Sequence, residues 1–376
     1  MGSAKKEGKG VGERIISFGR FETATILINA LLIKVLLGIP QLLCRRIGSA
    51  AWLSSLISGI LFLVFVCVIL KLYDRFENLN IIEIARMLGG NVGKWICTVV
   101  ILIPLIFKGA ITLRLAADTI NLITPYRIPS LLTAFLVGVV MIVSAYRGVE
   151  GVARLHALMV PVILLALVIV GLASMNSYRF TNLFPFWGLG QKKVWSEGVT
   201  LFSVYTDAIY IFLLYPYVKS RKIYRRACIG GVCIAVFVQS AVMLGYVLST
   251  QYPENAELFM PVYQVSRIIN LSGGSQSIEA IFYPVWIVAS LLYLSLSNNF
   301  AVEVLGQASG TKYEKLFIVP VAAVMFVIAY FPPGVMDAMQ LSSEAEPYLS
   351  IFCILIPSLI LIAARMKKKG DKSIEK

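Results

Sequence analysis

Ten runs of mainly apolar residues, each long enough or nearly so to cross a lipid bilayer, govern what this chain can fold into. They occupy 21–43, 51–72, 95–113, 131–145, 152–173, 198–217, 227–248, 278–296, 316–331 and 348–364. A helix of about 20 apolar residues crosses the hydrocarbon core. Lipid offers no partner to an open strand edge, so continuous runs of this kind cross as helices. The expected fold is an all-α integral membrane protein with ten transmembrane helices, residues 21–365 forming one domain. A cytoplasmic segment, 1–20, precedes it and a basic cytoplasmic tail, 366–376, follows. Composition agrees: the chain is 58% hydrophobic and 14% charged, where soluble domains average about 45–50% and about 25%.

Ten spans place both termini on one side, and basic residues choose the side. Of the 34 Lys and Arg, 24 fall on the side of the termini, 7 on the other, and Lys34, Lys108 and Arg114 lie within spans. The bias puts both termini in the cytoplasm. The formal charge of +14 is therefore largely an orientation signal. "KSRKIYRR" and "RMKKKGDK" read as flanks of a protein whose partner is membrane lipid and not nucleic acid.

The six cysteines are scattered without a Cys-x-x-Cys pair, and His156 is the single histidine. A nucleophile with its base, a phosphate-binding glycine loop and a metal-ligand set are all missing. The chain is expected to be no enzyme, with no catalytic residue, metal or cofactor.

Charges inside the apolar runs need a reason, because removing one from water is costly unless it is paired. "ILINALLIKVLLGIP" carries Lys34 among aliphatic residues and ends in Gly-Ile-Pro. "LFSVYTDAIYIFLLYP" carries Asp207 midway along the sixth run, among the hydroxyls of Ser203, Tyr205, Thr206 and Tyr210. The first and sixth runs each open a set of five, and each holds a central charge. Inverted-repeat transporters place interrupted helices this way, meeting where substrate binds. Arg114 and Asp118, four apart near the outer end of the third run, pair along a helix face with room to snorkel. Lys108 lies deeper, and lining a central cavity and a structural role stay equally open for it. Asn298, Asn299 and Glu303, toward the cytoplasmic end of the eighth run, read as wet. The outer loop 249–277 suggests a short helix, either a lid or an interfacial element.

Taken in order, these motifs resemble the spore-germination permeases, the B subunits of GerA-type nutrient germinant receptors, within the amino acid–polyamine–organocation superfamily. The likeness rests on Asn29 and the closing "GIP" of the first run, "AWLSSLISGI", Arg114 and Asp118 followed by "LITP", and "YRGVEGVARL" leading to Pro161. It continues through "NLFPFWGLG", "YPYVKSRK", "SIEAIFYPVWIV" and "YFPPGVMDAM", and ends in "IPSLILIAARMKKK". The resemblance implies a five-plus-five inverted repeat, like that of LeuT and the amino-acid permeases, with interrupted first and sixth helices. It implies residence in the spore inner membrane beside A and C subunits of a receptor complex, and a small germinant, an amino acid, as ligand. The ligand-binding candidates are Leu31, Ile33, Lys34 and Val35 of the first run with Asp207 and the hydroxyl cluster around it, Ser203, Tyr205, Thr206 and Tyr210, of the sixth. The chain departs from the family at Ile33, Lys34 and Val35, where a Gly-x-Gly pair is usual, and at Thr206 and Asp207, where Gly-Glu is frequent.

The same fold brings the two charged runs together, so Lys34 is expected to pair with Asp207 at the midplane. From mid-span the nearest interface is about 15 Å away, beyond the reach of a lysine. The rival partners are backbone carbonyls freed near Gly38. Three functions remain in view: a germinant-receptor subunit that relays a signal to its partners, an amino-acid transporter, proton-coupled or ion-independent, without signalling, and a structural subunit whose pocket Lys34 plugs.

Overall fold

The computed structural model describes residues 18–76, 79–124, 128–258, 261–268, 279–311 and 313–374. Most of the segment 1–20 and part of the loop 249–277 lie outside these residues. Among the described residues there is no strand beyond a single bridge between Phe18 and Val218.

The first run folds as two helices, α1 (Arg20–Leu37) and α2 (Ile39–Ile47). Gly38 between them has φ −145° and ψ −5°, and Pro40 stands in the first turn of α2. Proline lacks the N–H that a continuous helix would need and suits a first turn, so Gly-Ile-Pro both ends one helix and starts the next. A short 3₁₀ turn leads into α3 (Ala51–Tyr73).

α4 (Ile81–Ile123) is longer than the third apolar run. Asn80 and Glu83 form a capping box at its start, and the chain bends at Gly89 and Gly90, where Gly90 takes φ +60°. The residues 81–88, ahead of the third run, are thus the first arm of one kinked element. α5 (Ser130–Tyr146) and α6 (Gly148–Ala173) follow.

The sixth run is broken as well. α7 (Gln191–Thr200) passes into a 3₁₀ stretch, Leu201–Ala208, and resumes as α8 (Ile209–Leu213). Thr200 and Ser203 hydroxyls donate to the Ser196 and Thr200 carbonyls, and such local bonds compete with regular helix. Tyr205 leaves helical geometry, with φ −82° and ψ 25°. Beyond it lie α9 (Arg221–Ser249), whose first turn is capped by Ser220, α10 (Pro261–Ile268) and α11 (Glu279–Ser309).

The last segments are α12 (Ile318–Ala329), α13 (Val335–Ser350) and α14 (Ile356–Ile374), the last two joined by a π-helical stretch, Ile351–Leu355. This corrects the boundary of the tenth run: the helix begins well before residue 348, and it carries Glu346 inside. Among the described residues six helices are long and apolar enough to cross a membrane by length and composition, with α5 a shorter apolar one. The first and sixth runs are broken, and the fourth and ninth fold as the short α5 and α12.

α1 is enclosed by α6, α9 and α11, and its residues from Ile26 to Ile33 are all nearly inaccessible. α1 and α9 approach closely at Gly231, where a Cβ would stand 2.9 Å from the Ala24 carbonyl oxygen. Small residues permit this in lipid, where helices gain little from burying apolar surface alone. The outside is apolar too: Leu155, Leu158, Val162, Leu165, Ile169 and Leu172 form an exposed stripe at helical spacing on α6. Such a surface suits hydrocarbon and not water.

The ends of the helices are polar and joined. At one end Arg221 pairs with Asp74, Arg365 donates to the Lys71 carbonyl, and Lys94 donates to the Ala308 carbonyl at 2.6 Å. At the other, Arg45 pairs with Glu257, Arg46 with Glu197, and the Leu189 amide donates to the Ile47 carbonyl.

A buried charge network as candidate functional site

The helix breaks decide where polar groups meet. Lys34 lies one turn before Gly38 on α1, and Thr206 and Asp207 lie in the 3₁₀ stretch. Glu346 lies near the end of α13, just before Pro347 and the π-helical stretch. Lys108 comes one turn after Pro104 on α4, and Tyr293 lies midway along α11.

These six side chains form one connected cluster. Lys34 Nζ donates to Glu346 Oε1 at 2.6 Å, to Thr206 Oγ1 at 2.7 Å and to the Val204 carbonyl at 2.9 Å. It stands 3.2 Å from Asp207 Oδ2. Thr206 passes the connection on, donating to Glu346 Oε2 at 2.8 Å. Asp207 Oδ1 meets Lys108 Nζ at 2.9 Å and accepts the Tyr293 hydroxyl at 2.7 Å. The four charged side chains are 13% (Lys34), 6% (Lys108), 1% (Asp207) and 10% (Glu346) exposed.

Two ammonium and two carboxylate groups make the cluster neutral overall. Each charge has an opposite partner in a setting where an unpaired one would be expensive. The amine of Lys34 has three protons and four oxygen neighbours, so its donors are fully engaged. Among the described residues no three His, Cys, Asp or Glu side chains come together as a metal site.

Of the residues singled out from sequence, Lys34, Thr206 and Asp207 come together here. Leu31, Ile33 and Val35 are packed in the core at 3%, 1% and 1% exposure. Tyr205 stacks on Phe62 with ring centroids 4.3 Å apart, and its hydroxyl has no hydrogen-bond partner among the described residues. Tyr210 packs against Tyr293 and Phe300. Ser203 is not part of the cluster, because its hydroxyl is turned back to the Thr200 carbonyl.

Glu346 and Tyr293 escaped sequence reasoning, and Lys108 had no assigned partner. Glu346 sits in the polar stretch "QLSSEAEPYLS", which reads as a loop before the last apolar run. The available signal was the shortness of that run, which a helix extended toward its N-terminus would cure. Two further expectations change. Asn298 and Asn299 are buried at 0% and 5%, not wet. Arg114 does not snorkel: at 7% exposure it pairs with Asp118 and reaches the Ala329, Pro332 and Pro333 carbonyls.

His156 has a structural place. Its Nδ1–H donates to the Val152 carbonyl at 2.8 Å, while Asn29 bridges from its Nε2 to the Ala289 carbonyl. That ties α1, α6 and α11 together behind the network.

Comparison with known proteins places this architecture. A family model described as "Spore germination protein" matches residues 19–333. Spore germination protein YndE of Bacillus subtilis (strain 168) is 20% identical over 93% of this chain and 97% of its own length. Spore germination protein XB of Bacillus anthracis is 22% identical over 94% and 99%. Among solved structures, a substrate-bound, outward-open Na⁺-coupled sialic acid symporter gives a TM-score of 0.63 at 12% identity, covering 90% of this chain and 79% of that one. Mhp1, a nucleobase-cation-symport-1 family transporter in a closed conformation with bromovinylhydantoin bound, gives 0.64 at 14%, covering 94% and 90%. Both neighbours have the LeuT fold, and the chain shares it. The broken helices at residues 20–47 and 191–213 belong to that architecture.

Proposed function

The chain belongs to the spore germination protein family, and from that premise we propose that it is the B subunit of a nutrient germinant receptor. It recognises a small zwitterion, an amino acid, at the central network and relays the resulting rearrangement to A and C subunits. Its setting is the spore inner membrane, with both termini in the cytoplasm.

The observation that carries this reading is the neutral set of two amines and two carboxylates at the two helix breaks. A zwitterionic ligand brings one charge of each sign. Its ammonium competes with Lys34 for Glu346 and Asp207, and its carboxylate competes for Lys34 and Lys108. The exchange keeps the site neutral while freeing internal partners, so ligand binding and rearrangement are linked. A ligand can shift such an equilibrium only through interactions that differ between the two states. Here every ion pair that the ligand makes displaces one that holds helices together.

A second reading, an amino-acid transporter without signalling, draws support from the two symporters that share the fold. Spores whose own gene is replaced by the Asp207→Asn form, present at normal level, separate the outcomes. A several-fold shift in the dose response to the amino-acid germinant is expected, and an unchanged response overturns the receptor reading. Uptake of radiolabelled amino acids by proteoliposomes above that of empty liposomes supports the transporter instead.

A further inference from the structure

A second group of cations lies at the end of the molecule where Arg221 meets Asp74. Lys222, Arg225 and Arg226 occupy the first two turns of α9, and Arg20 starts α1. Together they line a cleft of about 450 Å³ floored by Ile229 and Gly230. Among the described residues none of the four forms an ion pair, whereas Arg221 beside them does. Cations in the first turns of a helix also face the unfavourable end of its dipole, so this placement calls for an anion.

The cleft continues along α9 as an apolar face. Lys222, Arg226, Ile229, Cys233 and Phe237 follow one another at helical spacing on the same side. Cys233 is exposed, and Phe237 is 73% exposed. Phe21, next to Arg20 on α1, is 56% exposed. At 1.5 Å per residue, the step from Arg226 to Phe237 is about 16 Å, more than the headgroup layer of about 5–8 Å, so Phe237 reaches acyl-chain depth when Arg226 is at the headgroups. The close approach of α1 and α9 at Gly231 forms the valley. A Cβ on Gly230 would meet only Arg20 Nη2, at 3.9 Å, so the floor is open.

We propose that this cleft binds the phosphate of an anionic phospholipid, with an acyl chain lying along Cys233 and Phe237. Guanidinium groups hold phosphate oxygens in paired hydrogen bonds, and a lysine adds a point charge. A soluble phosphate would use the cations but leave the apolar face unexplained. An acidic protein segment would have to cover that face at membrane depth.

The test is native mass spectrometry of the full-length protein in detergent, with phosphatidylglycerol, phosphatidylcholine and inorganic phosphate as probes. Phosphatidylglycerol should be retained over phosphatidylcholine. The combined Lys222→Gln, Arg225→Gln and Arg226→Gln variant should lower that retention roughly fivefold or more. Gly230→Leu, which keeps every charge but fills the floor, should do the same, and Arg221→Gln, outside the cleft, should not. Thermal unfolding in lipid-free detergent should be alike for the wild type and the two cleft variants. Equal phosphatidylglycerol retention in wild type and both cleft variants overturns the proposal. So does displacement of the lipid by an equal concentration of inorganic phosphate, which indicates a soluble anion. A photo-crosslinker at position 226 that captures protein and no lipid in native membranes overturns it in favour of an acidic partner.

Discussion

Lys34 and Glu346, 312 residues apart in the chain, meet at 2.6 Å in the middle of the helix array. Asp207, the other carboxylate near this amine, stands farther off at 3.2 Å and has a second amine, Lys108, at 2.9 Å. The two acids are therefore unequal: among the described residues Glu346 has Lys34 as its single charge partner, and Asp207 has two.

That inequality sets the first prediction. Removing one partner of a buried pair costs about 3–5 kcal/mol, whereas removing both is nearly neutral. Lys34→Met and Glu346→Gln should each lower thermal stability in detergent, and the double variant should recover much of the loss. The corresponding cycle of Lys34→Met with Asp207→Asn should show weaker coupling, because Asp207 keeps Lys108. Additive losses in the Lys34–Glu346 cycle, or equal coupling in the two cycles, contradict the network.

How much of this was legible in the sequence follows from the range of each signal. Gly-Ile-Pro marks the break in the first helix because proline and glycine act locally, on one or two turns. Lys34 and Asp207 stand out for the same reason, each being a lone charge in an apolar run. Glu346 does not stand out, because its neighbours Ser342, Ser343 and Glu344 are polar and hydropathy assigns them to a loop. Only the continuation of α13 through the π-helical stretch into α14 places Glu346 at depth, and that continuity depends on packing against α4 and the 3₁₀ stretch. Lys108 and Tyr293 were visible as residues but not as partners of Asp207, since their pairing is a property of the tertiary fold.

The orientation supplies a second prediction, motivated by the 24-to-7 distribution of basic residues between the two sides. In a background without native cysteines, a cysteine introduced at position 370 should react with a membrane-impermeant maleimide only after permeabilisation. Reaction in intact cells reverses the topology.

Arg114 carries a third. Its guanidinium bonds Asp118 at 2.6 Å, reaches the carbonyls of Ala329 at the end of α12 and of Pro332 and Pro333 beyond it, and lies over the Tyr330 ring at 4.5 Å. A lysine supplies the charge but neither the planar fork nor the stacking. Arg114→Lys should destabilise by about 1–3 kcal/mol, seen as a lower unfolding temperature in detergent. Wild-type stability in Arg114→Lys shows that charge alone suffices there.

A fourth prediction concerns the opposite end of the first broken helix. Gly188 has φ +53°, and a Cβ at this position would stand 2.0 Å from the Ile47 carbonyl oxygen. The next residue, Leu189, donates its amide to that same carbonyl at 2.9 Å, tying the loop before α7 to the end of α2. An added methyl group meets backbone that cannot swing aside, and the left-handed conformation itself costs a non-glycine residue about 1–2 kcal/mol. Displacement of the Ile47 carbonyl adds about 1–3 kcal/mol of overpacking. Gly188→Ala should therefore lower stability clearly, whereas Gly171→Ala, where a Cβ meets nothing within 4 Å, should leave it nearly unchanged. Thermal unfolding of the two variants side by side decides the matter. Equal unfolding temperatures would mean that the loop before α7 is not anchored to α2 through Gly188.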